Sequence, residues 1–270
     1  MDLRKYGRKP ADPKAMMSMW WYQPFIFSND LACGVGPSWF MKDCKEMIMS
    51  RETGGRRFNK FFAMNQRMIN MYEDWAGGLE RHVDIKGSSV FELACNTGRF
   101  LMWLKEHGAA KCVGIDKADL DPQRKVLREI TGIDAIEFRK GHWSPYNGHT
   151  IAGSDASEKF DITVCTSFIE HMSDPLNLIN ELAKKTNKAL LLNAHTGLFS
   201  RGMNVTYKPM PHHISWGDTF PYTFDTAVSR ELLFYSLKQC GFKKIIEVKY
   251  RSNWLPLRWC ARFTTVVCLK

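Results

Sequence analysis

Short apolar segments alternate with amphipathic ones from residue 88 onward, and this alternation constrains the fold more than any other feature of the sequence. The strand-like segments are 90–94, 111–116, 135–140, 161–167 and 188–194. The helix-like segments are 98–107, 121–131, 174–186 and 226–240. Buried strands that alternate with helices predict a parallel sheet that is covered by helices on both faces.

The end of the chain departs from this alternation. Segments 243–251 (KKIIEVKYR) and 262–270 (RFTTVVCLK) both have strand character, and no helical segment separates them. Two adjacent strands without a crossover helix pair antiparallel or lie apart. The sequence therefore predicts an α/β fold with a doubly wound, mostly parallel seven-stranded sheet and an antiparallel last strand.

The first 86 residues have a different texture, rich in methionine and aromatic residues. We expect residues 1–15 to form a loose arm, and helical spacing of apolar residues predicts a helix from 58 to 76 that Gly77 and Gly78 end. The predicted organisation is an N-terminal arm and helical cap over 1–86, followed by one domain over 87–270. A loop-like insertion at 195–224 belongs to that second domain.

The excess of positive charge is concentrated at the two ends of the chain. Residues 1–15 hold five basic and two acidic residues, and residues 238–270 hold eight basic and one acidic residue. The remaining 25 basic residues balance 25 acidic ones, from totals of 38 and 28. This distribution excludes a chain that coats nucleic acid along its whole length, although a basic surface made by the two ends stays open.

Several classes of protein find no support in the sequence. The eight cysteines form no CxxC pair, which removes the signal for a zinc knuckle or a thioredoxin-like motif. The polar start lacks the apolar core of a signal peptide, and no apolar run approaches the ~20 residues of a membrane-spanning helix. We therefore expect a soluble, cytoplasmic protein with reduced thiols, no metal and no membrane partner. One chain indicates no oligomeric state.

The segment ELACNTGRF (92–100) closes the first strand and opens a helix, which is where a doubly wound sheet binds a nucleotide-like ligand. A dinucleotide fingerprint would place its glycines at Ala94, Asn96 and Arg99, and an arginine obstructs close packing at the third position. If the glycine positions of the motif are instead two residues apart, they fall at Ala94, Asn96 and Gly98, and Glu92 precedes them. Alanine is small, and asparagine tolerates a positive φ.

This pattern resembles the first motif of the class I (Rossmann-like) S-adenosylmethionine-dependent methyltransferases, (Glu/Asp)-x-Gly-x-Gly-x-Gly, with two glycines replaced. The likeness extends over about residues 85–270 and includes the segment 160–193 and the antiparallel end. Within the family, the chain looks most similar to tRNA wobble-uridine and ubiquinone-type methyltransferases.

The resemblance implies S-adenosylmethionine as cofactor and suggests roles for individual residues. Asp116 ends the second strand, where its carboxylate would accept the ribose hydroxyls. Glu92 would lie near the methionine amino group. The full set of expected cofactor-binding residues is Glu92, Ala94, Asn96, Gly98, Asp116, Lys117, His142, Trp143 and Ser167. For Glu92 and Asp116, a purely structural role as a buried or strand-end acid is the alternative.

A hydroxyl acceptor benefits from a general base, and histidine is the usual choice near neutral pH. The candidate catalytic residues are His171, His195, His212 and His213. Each has a surface or structural role as its alternative. Trp21, Tyr22 and Arg57 are the candidate substrate-binding residues in the N-terminal region, where aromatic residues more often pack a core.

The expected activity is methyl transfer from S-adenosylmethionine to an oxygen or nitrogen of a small-molecule acceptor, because the aromatic cap and the insertion suggest an enclosed pocket. One alternative is an RNA (tRNA-type) methyltransferase, in which the basic ends hold phosphates. Another is a non-catalytic module that binds the cofactor without turnover, since two motif glycines are replaced.

Overall fold

A computed structural model describes residues 1–19, 21, 23–34, 48–144, 150–196, 202–209, 224–249 and 263–270. The N-terminal region contains a short helix α1 (Pro13–Met17) and strands β1 (Phe25–Ser28), β2 (Leu31–Cys33) and β3 (Ile48–Ser50). Helices α2 (Arg51–Gly54) and α3 (Arg56–Glu80) follow. The three strands form an antiparallel sheet in the order β1-β2-β3. The expected cap is thus helical only in part.

The first residues do not form the loose arm that their polarity predicted. Leu3 is fully buried in a cluster that includes Leu127 and Ile130. Lys5 Nζ lies 3.0 Å from Glu106 Oε2, and the Tyr6 hydroxyl donates to the same carboxylate. The prediction was wrong because one apolar side chain and two polar anchors hold a segment whose average composition is polar.

Helix α3 continues through Gly77 and Gly78 to Glu80, so the predicted end at the glycine pair was wrong. A Cβ on Gly78 would lie 2.7 Å from Cγ2 of Val248, closer than real Cβ atoms approach a neighbour. Gly78 therefore allows the helix to pack against the segment after the sheet's edge strand. Here glycine provides a close contact between elements rather than a helix end.

The main sheet confirms the predicted fold class. From residue 89 onward, the described strands and α-helices in chain order are β4 (Ser89–Leu93), α4 (Arg99–Glu106), β5 (Lys111–Asp116), α5 (Asp121–Thr131), β6 (Ile136–Lys140), β7 (Phe160–Cys165), α6 (Pro175–Lys185), β8 (Thr186–His195), β9 (Val205–Pro209), β10 (Phe224–Val228), α7 (Arg230–Gln239), β11 (Lys244–Glu247) and β12 (Phe263–Leu269). The seven strands have the order β11-β12-β8-β7-β4-β5-β6. Strand β12 runs antiparallel to both of its neighbours, and the other pairs are parallel.

The segment between β8 and α7 forms a separate two-stranded antiparallel ladder of β9 and β10. Because residues 224–228 pair with β9, helix α7 begins at Arg230, and the predicted start at 226 was wrong. The Ser229 hydroxyl caps the helix by accepting the amide of Leu232 at 3.3 Å. The predicted domain division at residues 86 and 87 stays a prediction.

Two apolar clusters cover the two faces of the sheet. Phe91 and Leu93 belong to the cluster that includes α6 and α7 side chains. Val90 belongs to the cluster on the other face, with Trp75 of α3 and Leu101 of α4. Successive strand residues point to opposite faces, so Glu92 shares the face of Val90 and lies on the side of α3 and α4. None of the helices in the described ranges has the length and hydropathy needed to cross a membrane.

Candidate functional site

The loop between β4 and α4 turns through three left-handed residues. The φ angles are 57° at Ala94, 52° at Asn96 and 82° at Gly98. The amide of Gly98 donates to the Cys95 carbonyl at 2.8 Å, which closes the turn. Residues other than glycine rarely adopt this conformation. The two replaced glycines therefore leave the alternating left-handed path of the loop intact.

Gly98 is the motif position that tolerates no side chain. A Cβ there would lie 2.5 Å from Cζ of Phe138, a residue of β6. The glycine thus meets two demands at once, a positive φ and the close approach of an aromatic ring.

Asp116 fixes the loop from the neighbouring strand. Its Oδ2 accepts the Asn96 amide at 2.8 Å, and its Oδ1 accepts the Ala118 amide at 2.9 Å. A carboxylate offers about four lone-pair sites, so two backbone bonds leave capacity for the hydroxyls of a ligand. Asp116 is only partly buried, and Lys117 beside it is exposed.

Glu92 is the most unusual acid of this region. It is 1% exposed, and its Oε2 has no hydrogen-bond partner among the described residues. Burial, and next the negative charge of Asp116, raises the pKa of Glu92 well above its ordinary value. A buried polar atom without a partner is unfavourable, and a cationic ligand group would satisfy it.

Two residues that the sequence analysis missed also hold the loop. Arg124 of α5 donates to the Asn96 carbonyl at 2.7 Å, with its guanidinium 4.0 Å from the centroid of the Phe138 ring. Gln23, from the N-terminal region, bonds to residues on both sides of Asn96. Neither residue stands in a pattern that signals such a role, because both contacts depend on long-range folding.

Helix α3 places Tyr72 beside Arg99, the first residue of α4, at this edge of the sheet. The guanidinium carbon of Arg99 lies 4.2 Å from the centroid of the Tyr72 ring, and its Nη2 donates to the Ile69 carbonyl at 3.3 Å. The Tyr72 hydroxyl lies close to the side chain of Ser167, just beyond β7. Burial raises the pKa of Tyr72 to about 12 and lowers that of Arg99 to about 10.

The expected adenine-side residues are placed differently from one another. His142 is partly buried beyond the end of β6. Trp143 is 2% exposed and packs in the core cluster with Ile151 and Phe160. Its burial among apolar side chains favours a packing role, and the expected ligand contact stays a prediction. Ser167 has a φ of 52° and follows the carboxyl end of β7, as expected.

Two candidate histidines lie beyond adjacent strands. His171 ends a single 3-10 turn (Ile169–His171) after β7, and His195 is the last residue of β8. Both are partly buried, and the His195 ring centroid lies 5.2 Å from that of Phe263. His212, His213 and Tyr22 lie outside the described residues, so their roles stay predictions.

The other two substrate candidates differ in their burial. Trp21 is fully buried, and its indole N–H donates to the Met16 carbonyl at 3.2 Å. This burial favours a packing role, and the expected substrate contact of Trp21 stays a prediction. Arg57 is exposed in the first turn of α3. It precedes Tyr72 by a stretch of helix that is about 22 Å long at 1.5 Å per residue. The expected substrate contact of Arg57 stays a prediction.

The carboxyl ends of β4, β5 and β7 hold Glu92 with the loop at residues 94–98, Asp116, and Ser167, respectively. This edge holds two acids, a left-handed loop and the neighbouring hydroxyls of Tyr72 and Ser167. Such an edge suits a polar, nucleotide-like ligand with hydroxyls and a cationic group. Among the residues that the structure describes, no three His, Cys, Asp or Glu side chains are grouped to hold a metal ion.

Comparison with known protein families gives one match that covers most of the chain. The model of the methyltransferase domain family matches residues 67–233. That range includes the second half of α3, the left-handed loop, Asp116 and the first turn of α7.

Two curated relatives align with part of this range. A tRNA U34 carboxymethyltransferase from Sulfurovum sp. is 25% identical over 120 residues, which are 41% of this chain and 34% of that protein. A ubiquinone biosynthesis O-methyltransferase from Stutzerimonas stutzeri is 28% identical over 107 residues, covering 39% of this chain and 42% of that protein. The aligned part of the chain thus spans about a third to two fifths of these relatives.

A solved structure agrees with the observed fold. The crystal structure of a putative S-adenosylmethionine dependent methyltransferase from Listeria monocytogenes superposes with a TM-score of 0.55 at 12% identity. The superposition covers 75% of this chain and 97% of that one.

Proposed function

Because the chain belongs to the family of class I S-adenosylmethionine-dependent methyltransferases, we propose that it transfers a methyl group from S-adenosylmethionine to an oxygen or nitrogen of a small-molecule acceptor. S-adenosylmethionine is the methyl donor of this family, and the chain is an enzyme of that class. The acceptor and the roles of individual residues are parts of the proposal.

The relation between Asp116 and the loop carries this proposal. The carboxylate that orients Asn96 keeps acceptor capacity for the two ribose hydroxyls of the donor. The buried Glu92 Oε2 would accept from the methionine amino group, directly or through a water. Lys117 and His142 follow the carboxyl ends of β5 and β6, where we place the adenine. The polar groups present at this edge therefore fit the donor.

The chemistry asks for little acid–base help from the protein. The sulfonium of the donor activates its methyl carbon, so the protein has to align the acceptor and exclude water. Helix α3 contributes to this enclosure through Tyr72, whose hydroxyl lies close to Ser167 at the edge of the sheet. For a hydroxyl acceptor, we propose His171 or His195 as the base that takes the proton, with His212 and His213 as further candidates.

Enclosure of this edge supports a small acceptor. The β9–β10 ladder lies against the turn after β7, since Thr226 Oγ1 donates to the Met172 carbonyl at 2.8 Å and the Tyr207 hydroxyl to the Ser173 carbonyl at 2.8 Å. Helix α3 lies on one side of this edge and the β9–β10 ladder on the other. The relative from Stutzerimonas stutzeri, named for ubiquinone biosynthesis, is an O-methyltransferase.

RNA is the second candidate acceptor. The relative from Sulfurovum sp. is named for a tRNA uridine, and the excess positive charge at both ends of this chain would attract phosphates. A non-catalytic role is the third candidate. The left-handed conformation at all three motif positions argues against the view that the replaced glycines abolish the site.

A transfer assay distinguishes these candidates. The full chain would be incubated with S-adenosylmethionine labelled on its methyl group and with either a metabolite extract or total tRNA. We expect label in a small molecule, abolished by S-adenosylhomocysteine. Label in tRNA would identify the second candidate instead. Binding of S-adenosylhomocysteine by calorimetry without any transfer would favour the non-catalytic module, and absence of binding by the folded protein would reject the cofactor site.

A further inference from the structure

A glutamine from the N-terminal region lies inside the loop that follows β4. Gln23 is 5% exposed, and it precedes β1 by two residues. Its Oε1 accepts from the Thr97 hydroxyl at 2.6 Å and from the Arg99 amide at 3.3 Å. Its Nε2 donates to the Cys95 carbonyl at 3.3 Å. One side chain thus satisfies three polar groups of a loop more than 70 positions away along the chain.

These contacts alternate with the left-handed residues. Gln23 bonds to residues 95, 97 and 99, whereas the positive φ angles fall at 94, 96 and 98. A non-glycine residue in this conformation is strained and persists only where its surroundings fix it. Ala94 and Asn96 are the two positions without glycine. The amide of Gln23 therefore spans the part of the loop that is least stable on its own.

Gln23 is itself held firmly. Phe25 and Trp21, two residues away on either side, are fully buried, with their ring centroids 6.0 Å apart. The Gln23 carbonyl accepts a contact from Cys33 Sγ at 3.6 Å. The side chain consequently projects from a packed support, and it has little conformational entropy left to lose when it bonds to the loop.

We propose that Gln23 is a positioning residue of the cofactor site, which keeps the loop at residues 94–98 in its binding conformation before the donor arrives. The inference rests on the proposed function and extends the cofactor site to the N-terminal region. Gln23 acts through the loop rather than by touching the donor. Its loss should weaken donor binding, with the rate at saturating donor nearly unchanged, because the bound donor restores the loop.

Binding measurements on two conservative variants test this role. Gln23→Met keeps the volume of the side chain and removes its amide, and Thr97→Val removes the hydroxyl that donates to it. We expect roughly tenfold weaker binding of S-adenosylhomocysteine for Gln23→Met and roughly threefold for Thr97→Val, with the double variant no weaker than Gln23→Met. Gln66→Met, on a partly exposed face of α3, is the matched control and should bind as the wild type does.

Wild-type affinity in Gln23→Met would overturn the proposal. So would a double variant whose loss of affinity equals the product of the losses in Gln23→Met and Thr97→Val. A fall in kcat with an unchanged KM for the donor would also contradict a positioning role. Hydrogen exchange in the free protein gives a test that needs no ligand. We expect faster exchange of the Gly98 and Arg99 amides in Gln23→Met and not in Gln66→Met. If the wild type binds no donor, the proposed function fails, whereas the exchange result still decides whether Gln23 holds the loop.

Discussion

The Asn96 amide donates to Oδ2 of Asp116 across 2.8 Å, and this bond joins the loop after one strand to the end of the next. The bond sets the orientation of the carboxylate that the donor would meet. A residue expected to bind a ligand is thereby also a residue that shapes the binding loop. Substitutions here have to separate the two roles.

Asp116→Asn should weaken binding of S-adenosylhomocysteine by roughly 10- to 100-fold, because hydrogen bonds to a charged acceptor contribute about 1.5–3 kcal/mol. The asparagine keeps one oxygen as an acceptor for the loop, so we expect a smaller effect than for Asp116→Ala, which leaves both backbone amides without a partner. Calorimetry measures both affinities. Asp134→Asn, an exposed acid after α5, is the charge-matched control, and equal affinity in Asp116→Asn and this control would refute the ribose assignment.

Gly98→Ala should lower the free energy of unfolding by about 2–4 kcal/mol, since it adds a methyl group to a left-handed residue and brings it against Phe138. Gly87→Ala is the control: its φ is 75°, but nothing lies within 4 Å of the added Cβ. That control should lose only about 1–2 kcal/mol, the conformational part. Urea unfolding measures both values, and equal losses would show that the contact with Phe138 is unimportant.

Glu92→Gln should change the pH dependence of stability. The pKa of Glu92 is raised in the folded state, so folding favours the protonated form of this side chain. The stabilisation by protonated Glu92 is complete below the ordinary carboxyl pKa, and it is lost as the pH rises through the pKa of Glu92 in the folded protein. We therefore expect Glu92→Gln to be more stable than the wild type at pH 8, with a shallower decline between pH 5 and pH 8.

The same substitution should weaken donor binding, because the neutral amide attracts the methionine ammonium group less strongly than a carboxylate does. Unfolding curves at several pH values and calorimetry at pH 8 measure the two effects. Glu129→Gln, an exposed acid on α5, controls for the loss of charge. A variant that loses stability at pH 8 and binds the donor normally would contradict both expectations.

The two adjacent glycines of α3 should respond in opposite directions to the same substitution. Gly77→Ala should stabilise the protein by about 0.5–1 kcal/mol, because the nearest atom to its Cβ would be Arg81 Nη1 at 3.6 Å and alanine favours a helix. Gly78→Ala should destabilise it through the contact with Val248. Thermal unfolding compares them directly, and stabilisation by both substitutions would mean that Val248 moves aside.

The sheet could be predicted from the sequence because its signal is local. Strand-like and helix-like segments have periods that can be recognised within ten residues, and Asp116 and Gly98 fall at the strand ends that such periods define. The antiparallel last strand followed from the missing crossover helix between the final two segments.

The rest depends on contacts between distant parts of the chain. Gln23 stands in a segment that reads as aromatic core, and nothing near it in the sequence refers to residues 95–99. Gly78 has the local pattern of a helix end, but its packing partner lies 170 positions later in the sequence. Trp143 and Trp21 were expected at a ligand because aromatic residues serve both binding and packing, and only burial distinguishes the two uses.

The position of β12 has a consequence for biosynthesis. This strand is the last of the sheet to leave the ribosome, but it lies between β8 and β11 and provides the only pairing of β11 in the described sheet. Until it emerges, β8 presents an open edge with the apolar run Leu190–Leu192, the kind of edge that recruits strands from other chains. Nascent chains that stop short of residue 263 should therefore be prone to aggregation and should depend on chaperones, even though the donor-binding loop has already been synthesised.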